Sequence, residues 1–460
     1  MALAAAMVWE IRTAGSDTAC SGGFKAGATG TDYSQQDAAQ KSGVDLAIDA
    51  VDNTKVQPVA AGVAATDIGN TVIITAGTGF TVGTYEITAQ DGTYWTLDRA
   101  AGTTGSTAGT YAMGGACASP GKVAGLLVAG NTVHVKSGTY TMSATGNVAA
   151  GRINLDIINS TWIGYGTTRQ DSGTKPVLAA GANTMTPVTL ARADYWFENF
   201  EIHATGRTAC TGMVLGGSSG AGDCWVYRCK VHTCQSNGIA DAAASTVHIL
   251  GCEVTGITGG TAAIALTQSN PSSIIGCYVH DNTVTGVVVT NANRVCYTIS
   301  ETNTGSTSIH GFNANGNSPS FVGCVAYGNA GHGFASVGVS QMFNCIAEAQ
   351  TGATRIGFDN AAGGGLMLTC GVYNNTTNVG VTTGKNVVGT ITGTGTFFTS
   401  AATGNFDLNN TVGGGAGLQS TGFPVTIPGV TGTAPGPPVG ARGVVAATGQ
   451  LKHSAGRRSM

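Results

Sequence analysis

The fold of this chain is decided by the stretch Ile274-Ile-Gly-Cys-Tyr-Val279, because the same arrangement recurs along the second half of the sequence. Each recurrence is a short apolar string around a cysteine, and successive cysteines are 19 to 28 residues apart. A period in the twenties is typical of a solenoid, in which each repeat is one coil stacked on the last. The cysteines at this spacing are Cys229, Cys252, Cys277, Cys296, Cys324, Cys345 and Cys370.

These cysteines are predicted to point inward. Successive side chains of a strand face opposite ways, so each cysteine shares a face with the mostly apolar residues two before and two after it. Cys296 fits less well, because Arg294 stands where the other strings have an apolar residue. A continuous stack with neighbours ~4.8 Å apart cannot pair every member in disulfides. We therefore expect a buried ladder of free thiols, which favours folding in a reducing compartment.

The other half of each repeat recurs with the same period. A turn and a second apolar strand come after each cysteine string, and the turns carry Asn282, Asn303, Asn329 and Asn375. Asparagine tolerates left-handed backbone, and its amide can bond the next coil. Parallel crossovers are right-handed. The sequence thus predicts an all-β fold, a right-handed parallel β-helix (solenoid) with a small antiparallel β insert near the N-terminus.

The insert and the two ends give the expected domain organisation. Strands alternate around glycine turns in Asn70–Thr88 and Tyr94–Arg99, which indicates a separate small β-module. A capping helix is expected within 34–50. The Pro- and Gly-rich end is expected to lie on a neighbouring chain rather than to add coils. The predicted segments are 1–58 (N-terminal strand and capping helix), 59–115 (inserted module), 116–405 (coils) and 406–460 (irregular C-terminal segment).

Two stretches resemble a known group of proteins. Trp9-Glu-Ile-Arg-Thr-Ala-Gly-Ser-Asp17 and Gly130-Asn-Thr-Val-His-Val-Lys-Ser-Gly-Thr-Tyr140 look like the opening of right-handed parallel β-helix proteins of the pectate-lyase-like superfold. In that group a capping helix precedes the coils. The resemblance covers most of the chain but says little about function, because this fold hosts lyases, hydrolases, adhesins and viral spikes. The insert resembles modules of bacteriophage virion proteins, which implies a protein of that type.

The resemblance implies motifs that an enzyme of this superfold would carry. Polygalacturonase-like hydrolases have Asn-Thr-Asp, Asp-Asp, Gly-His-Gly and Arg-Ile-Lys in that order, and here only Gly331-His-Gly333 occurs. Pectate lyases use several aspartates for calcium, which needs six to eight oxygens close together. The aspartates of the coils fall at different phases of the repeat. We expect no metal site and no cofactor, and the chain contains no Cys-x-x-Cys pair.

Outward positions beside the cysteine strings form a mixed column. His203, His232 and His280 are flanked by Glu201, Lys230 and Glu253. Only four residues are candidates for catalysis, each on weak evidence: Glu201, Glu253, His232 and His280. Three interpretations stay open: a solvent face, a subunit interface, since aromatic residues are enriched there, or a sugar platform or active groove. The column leads into a stripe of tyrosines expected to form a binding or interface surface: Tyr278, Tyr297, Tyr327 and Tyr373.

Two function classes remain. The sequence favours a structural bacteriophage virion protein (spike, fibre or capsid decoration) that contacts host-surface glycans. The alternative is a polysaccharide lyase or glycoside hydrolase on the same fold. Expected partners are further copies of the chain, as a homotrimer, other virion proteins and host-surface polysaccharide. A net charge of −3 with scattered Lys and Arg argues against nucleic acid. No signal peptide or transmembrane segment is expected, which favours location in a virion assembled in the host cytoplasm.

Overall fold

The computed structural model of the chain describes residues 3, 6–156, 159–192, 194–216, 222–242, 246–268, 271–306, 308–316, 318–351, 355–360, 365–380, 386–403 and 405–419. The chain divides into two compact units. The first comprises 1–235 with 242–246, and the second 236–241 with 247–460. No helix among the described residues is long and apolar enough to cross a membrane. The predicted segment 406–460 lies outside the described residues from 420 onward.

The first unit opens with two strands, β1 (Met7–Ile11) and β2 (Gly23–Lys25), which pair antiparallel. On β1, Trp9 is fully buried and donates its indole N–H to the Asn131 amide oxygen at 3.2 Å. A disulfide joins Cys20 to Cys117 across 97 residues of chain. The cysteine spacing gives no sign of this bridge, since neither residue belongs to the repeat.

A closed antiparallel barrel follows, with strand order β3-β4-β7-β6-β5-β8. Its core includes Trp95 and Tyr111, whose rings meet edge to face at 5.9 Å. The barrel confirms the predicted antiparallel unit but begins at Lys41. The range 34–50 therefore holds a 3-10 turn (Tyr33–Gln35) and a strand rather than the expected helix. The strands are β3 (Lys41–Ile48), β4 (Lys55–Pro58), β5 (Thr71–Ala76), β6 (Gly83–Gln90), β7 (Trp95–Leu97) and β8 (Gly109–Met113).

The coils of the first unit begin after the short helix α1 (Pro120–Ala124). Inward and outward residues alternate in these strands, as in β9, where Val133 and Val135 are buried. The strands are β9 (Thr132–Lys136), β10 (Thr139–Gly146), β11 (Gly151–Leu155), β12 (Ser160–Tyr165), β13 (Val177–Ala180), β14 (Val188–Leu190), β15 (Tyr195–Glu198), β16 (Glu201–His203), β17 (Met213–Leu215), β18 (Asp223–Tyr227) and β19 (Lys230–His232).

Three parallel sheets run along the coils of this unit. The first sheet pairs β1, β9, β12, β15 and β18 in that order. The second sheet pairs β10, β13, β16 and β19, and the third pairs β11, β14 and β17. Each coil thus contributes one strand to each sheet, which is the predicted parallel β-helix.

The second unit repeats this plan. Its first sheet is β21-β24-β27-β30-β33-β36-β39, its second β22-β25-β28-β31-β34-β37-β40, and its third β20-β23-β26-β29-β32-β35-β38. The strands are β20 (Ile239–Asp241), β21 (Thr246–Leu250), β22 (Glu253–Thr255), β23 (Ala262–Leu266), β24 (Ser273–Ile275), β25 (Tyr278–His280), β26 (Thr285–Val289), β27 (Arg294–Cys296), β28 (Ile299–Glu301), β29 (Phe312–Ala314), β30 (Ser320–Val322), β31 (Val325–Tyr327), β32 (Phe334–Ser336), β33 (Gln341–Phe343), β34 (Ile346–Glu348), β35 (Ile356–Asn360), β36 (Leu366–Leu368), β37 (Gly371–Tyr373), β38 (Thr377–Val379), β39 (Asn386–Val388) and β40 (Ile391–Thr392).

Six cysteines occupy one position of the coil, directly before a strand of the second sheet. In the second unit these are Cys252, Cys277, Cys324, Cys345 and Cys370, all buried and none in a disulfide. Cys229 has the same place in the first unit. Cys296 does not, since it ends β27 and pairs with Ile275 and Val322 of the first sheet. Thr298 holds the ladder position of that coil and accepts the Cys277 backbone N–H at 3.4 Å.

Buried amides and stacked rings join the coils of the second unit. Asn282 donates its side-chain amide to Asn303 at 2.8 Å, and Asn303 donates likewise to Asn329 at 2.8 Å. These are the asparagines that the sequence placed in the turns. On the inner face of the third sheet, Phe312, Phe334 and Phe358 stack at 4.8 Å per coil.

The end of the described chain folds back onto its own second sheet. β41 (Phe398–Ser400), a 3-10 turn (Ala401–Thr403), β42 (Asn405–Leu408) and α2 (Gly415–Gln419) form this C-terminal cap. Phe397, Phe406 and Leu418 of the cap pack against Ile299, Val325 and Ile346. The described part of the C-terminal segment thus packs on its own chain, contrary to the expectation that it lies on a neighbouring chain. The physical reason is that the outer face of the second sheet is apolar here, and this segment buries it.

Candidate functional site

The predicted histidine and glutamate residues of the first unit come together on the second sheet. The register places Glu201 beside Lys230 and His203 beside His232. Glu201 Oε1 lies 2.9 Å from His232 Nε2, and the two imidazole rings stack at 5.1 Å. Burial and the nearby His232 lower the pKa of His203, although Glu201 opposes them. The cluster is a half-exposed Glu–His pair with a second, less basic imidazole.

The predicted residues of the second unit form another cluster. His280 Nε2 lies 3.5 Å from Glu253 Oε1, and its Nδ1 lies 2.8 Å from Asp281 Oδ2. Tyr278 stacks on His280 at 4.1 Å and donates its hydroxyl to Glu301 Oε2 at 2.5 Å. Sequence reasoning missed Glu301, which lies two coils from Glu253 on the same sheet.

Burial shifts the pKa values of this second cluster. It raises the pKa of Glu301, only partly offset by the Tyr278 hydrogen bond. It also lowers the pKa of His280, but hydrogen bonds and charges from Glu253 and Asp281 outweigh it and leave that pKa raised. A carboxyl group with a raised pKa beside a Glu–His pair is suited to general acid catalysis. Glu253 and Glu301 are 8% and 7% exposed, which restricts access by a polymer.

The structure places the four tyrosines of the predicted stripe in two settings. Tyr278, Tyr327 and Tyr373 are partly buried against the C-terminal cap, so their rings are covered by their own chain. Tyr297 lies apart from them, in a bend between the first and second sheets with a φ of 50°. Its ring lies over Gly323, where an added Cβ would come within 2.7 Å of it. These tyrosines therefore do not form one continuous exposed stripe.

An aromatic patch on the first sheet of the first unit was missed by the sequence analysis. Trp196 and Trp225 are paired in register on the outward face of β15 and β18 and stack at 6.1 Å. Tyr227 lies beside Trp196 at 5.9 Å. All three side chains are half-buried. We call Trp196, Trp225 and Tyr227 the aromatic platform. Aromatic side chains that keep part of their surface in contact with water are common at binding sites.

Charged side chains border the aromatic platform. Glu198 Oε2 accepts the Trp196 indole N–H at 2.8 Å. The Arg228 guanidinium lies 5.4 Å from the centre of the Tyr227 ring, a cation–π contact. A signal for this patch does exist in the sequence, since Asp194-Tyr-Trp and Asp223-Cys-Trp place tryptophan at the same strand position. Both strands come before Cys229, the first cysteine of the repeat.

Metal binding has no support among the described residues, where no group of three or more His, Cys, Asp or Glu side chains could hold an ion. Asp171 is a loop residue whose carboxylate accepts backbone N–H groups of Gly166, Thr167 and Thr168. These bonds lower the pKa of Asp171.

Comparison with known proteins finds two solved structures that are similar to this chain. No family model matches the sequence, and no curated protein matches it. The pectate lyase Pel9A is similar with a TM-score of 0.47 and 14% identity, covering 65% of this chain and 85% of that one. A pectin methylesterase from carrot has a TM-score of 0.28 and 14% identity, covering 68% and 94%. Likeness of this degree carries no argument about activity.

The strand pairing therefore defines the class. The chain is an all-β protein of the parallel β-helix class, with a small antiparallel barrel near its N-terminus.

Proposed function

We propose that this protein binds polysaccharide on the outer face of its first sheet, through the aromatic platform. The observation that carries the proposal is the stack of Trp196 on Trp225, outward and half-buried on neighbouring coils. Tryptophan offers a large, rigid apolar face and one hydrogen-bond donor. A pyranose ring has an apolar C–H face of matching shape. Because the two rings turn one face towards each other, a sugar ring can contact their edges and the faces that point away from the pair.

Binding without cleavage is the form that we favour. Apart from Gly331-His-Gly333, the sequence lacks the catalytic motifs that its resemblance implies for an enzyme. The setting that we propose is a bacteriophage virion, as spike, fibre or capsid decoration, with host-surface glycan as the ligand. This setting and the homotrimer rest on the sequence alone.

The test uses the purified full chain. Binding to a panel of capsular and cell-wall polysaccharides should fall about tenfold for Trp196→Ala and for Trp225→Ala, since each removes one stacking face. The matched control is Tyr94→Ala, a half-exposed aromatic of the barrel, which should bind like the wild type. Equal binding by all variants would contradict the role of the aromatic platform. Sedimentation of the same samples measures oligomeric state, and mass spectrometry of purified particles tests the virion setting.

A depolymerase is a second candidate function, and one observation supports it. Glu301 is buried with a raised pKa and lies on the same sheet as Glu253, two coils away and offset by two residues along the strand. A carboxyl group with a raised pKa is the kind that a glycosidase uses as its general acid. Release of reducing ends or unsaturated uronates from any polysaccharide of the panel, lost in Glu253→Gln and Glu301→Gln, would support this candidate against simple binding.

A further inference from the structure

A cavity of about 210 Å³ opens next to the aromatic platform. It borders Glu198, whose carboxylate also accepts the Trp196 indole N–H, so this residue belongs to both the cavity wall and the border of the platform. Pockets for drug-sized ligands usually measure ~300–1,000 Å³. This cavity is smaller and suits one sugar ring rather than an oligosaccharide. Its lining consists of Ile163, Gly164, Gln170, Asp171, Ser172, Glu198, Asn199 and Arg228.

Two polar residues of the lining, Asp171 and Asn199, already form hydrogen bonds with other groups of the protein. Asp171 accepts backbone N–H groups with both carboxylate oxygens. The Asn199 amide donates to the Gly164 carbonyl at 2.8 Å and accepts from Lys175 Nζ at 2.8 Å. These bonds fix the walls of the cavity. Glu198 and Arg228 are therefore the charged residues of the lining that can hydrogen-bond to a ligand in the cavity.

The separation of these two groups indicates the ligand. Arg228 NH1 lies 3.9 Å from Glu198 Oε1, too far for a hydrogen bond between them. A group about 2.8 Å from each must accept from the guanidinium and donate to the carboxylate. A hydroxyl does both, whereas a carboxylate only accepts and an ammonium only donates. The opposite charges of Glu198 and Arg228 also favour a ligand without net charge.

We propose that this cavity holds one neutral hydroxylated sugar residue of the polysaccharide, with a hydroxyl bridging Arg228 and Glu198 and with Ile163 against the ring. The inference rests on the proposed function, because the platform supplies the rest of the polymer's binding surface. It makes the ligand a neutral glycan rather than a polyuronate.

The backbone at Arg228 allows a conservative substitution. Arg228 has a φ of 56°, in the left-handed region, at the bend between the first and second sheets. In the second unit glycine holds the same bend at Gly251, Gly276, Gly323 and Gly389, and Tyr297, Asn344 and Thr369 hold it with a similar φ. The bend therefore accepts glycine without a change of backbone.

The experiment exploits that bend. Arg228→Gly removes the guanidinium and relieves the backbone, so the variant should fold, and Asn344→Gly at the matching bend of the second unit is the control. Glu198→Gln retains an acceptor for Trp196 but replaces the other oxygen by a donor. The probes are hexasaccharides of glucose, galactose and mannose, and hexagalacturonate. Their binding is followed by calorimetry and by quenching of tryptophan fluorescence.

We expect at least one neutral hexasaccharide to bind the wild type and Asn344→Gly alike. Arg228→Gly and Glu198→Gln should each weaken it by roughly tenfold to a hundredfold, as for loss of a hydrogen bond to a charged group. Unchanged affinity in both, with loss in Trp196→Ala, would overturn the cavity site and leave the proposed function intact. Selective binding of hexagalacturonate would overturn the neutral-sugar assignment. Wild-type protein that binds none of the probes would overturn both proposals.

Discussion

Single buried side chains supply hydrogen bonds that the backbone of the coils cannot make for itself. Asn329 is the clearest case, since its amide oxygen accepts both the backbone N–H and the side-chain amide of Asn303, at 3.1 and 2.8 Å. Its own amide donates to the Ser300 carbonyl at 2.9 Å. Asn329 is fully buried, so water cannot replace it in these bonds. One residue therefore satisfies two donors and one acceptor of the neighbouring coil.

Asn329→Ala should lower the free energy of unfolding by about 3 kcal/mol, because it leaves two buried donors and one buried acceptor of the neighbouring coil without partners. Urea unfolding followed by circular dichroism measures the change. Asn313→Ala is the matched control, since Asn313 is a half-exposed residue of β29, and it should alter stability by less than about 0.5 kcal/mol. Equal losses in the two variants would contradict the role of the amide ladder.

Two histidines act as acceptors in the second unit and make its stability depend on pH. His310 Nδ1 accepts the His332 backbone N–H at 3.0 Å, and His332 Nδ1 accepts the Ile356 N–H at 3.1 Å. Burial, followed by the positive charges of His332 and Arg355, lowers the pKa of His310 to about 4. Burial also lowers the pKa of His332, and Asp359, 3.6 Å from its Nε2, opposes this.

Both histidines therefore fold in the neutral form. Their contribution is complete above the unfolded pKa of about 6.5 and declines as pH falls below it, because the unfolded chain then binds more protons. For His310 this decline extends down to a pH of about 4. For His310 the loss reaches as much as about 3 kcal/mol. Urea unfolding between pH 7 and pH 4 should show a smaller decline in His310→Asn than in the wild type. Parallel declines would show that His310 does not carry the dependence.

At the scale of elements, the C-terminal cap closes the apolar outer face of the second sheet. Glu348 anchors it, accepting the Phe397 backbone N–H at 2.9 Å and the Thr396 hydroxyl. Burial raises the pKa of Glu348, and these two bonds partly offset the rise. Phe406 contacts Phe398 at 5.2 Å and Tyr327 at 5.9 Å between ring centres. The cap is thus held by one carboxyl and a cluster of aromatic rings.

Phe406→Ala should loosen the cap, since deletion of a buried phenylalanine costs about 3–5 kcal/mol. Hydrogen exchange of the amides of Phe398 and Leu408 should accelerate at least about tenfold, which corresponds to 1.4 kcal/mol of local stability. Val412→Ala changes a residue that is 97% exposed in the same segment and should leave exchange unaltered. If Phe406→Ala also leaves exchange unaltered, the cap is not held by its aromatic cluster.

At the scale of the whole molecule, the cysteines divide into two chemical groups. Ten are free and buried, and Cys20 and Cys117 form a disulfide. Burial raises the pKa of Cys224 to about 11 and of Cys234 to about 12, so these thiols are unreactive in the folded protein. The bridge closes a loop of 97 residues that contains the whole barrel.

Alkylation with a thiol reagent should therefore modify ten cysteines in the denatured, unreduced chain and all twelve after reduction, as counted by mass spectrometry. The folded protein should react far more slowly, because thiolates are scarce and buried. Twelve modified residues before reduction would exclude the bridge. Fewer than ten would show further disulfides among the coil cysteines, against the free-thiol ladder.

The sequence by itself determined the parallel β-helix, the inward cysteine strings and the asparagine turns, because these features depend on strand alternation and on a repeat that each coil carries within itself. It did not determine which side chains from different coils meet. Coil lengths vary from 19 to 28 residues between cysteines, and Cys296 shows that an apparent repeat position can belong to another sheet.

Only the tertiary structure decided that Trp196 stacks on Trp225 beside Arg228, that the C-terminal cap covers Tyr278, Tyr327 and Tyr373, and that Cys20 bonds Cys117. Each of these contacts joins residues far apart in the chain or on separate coils. Their proximity follows from strand register and chain reversal, which set distances that no local pattern encodes.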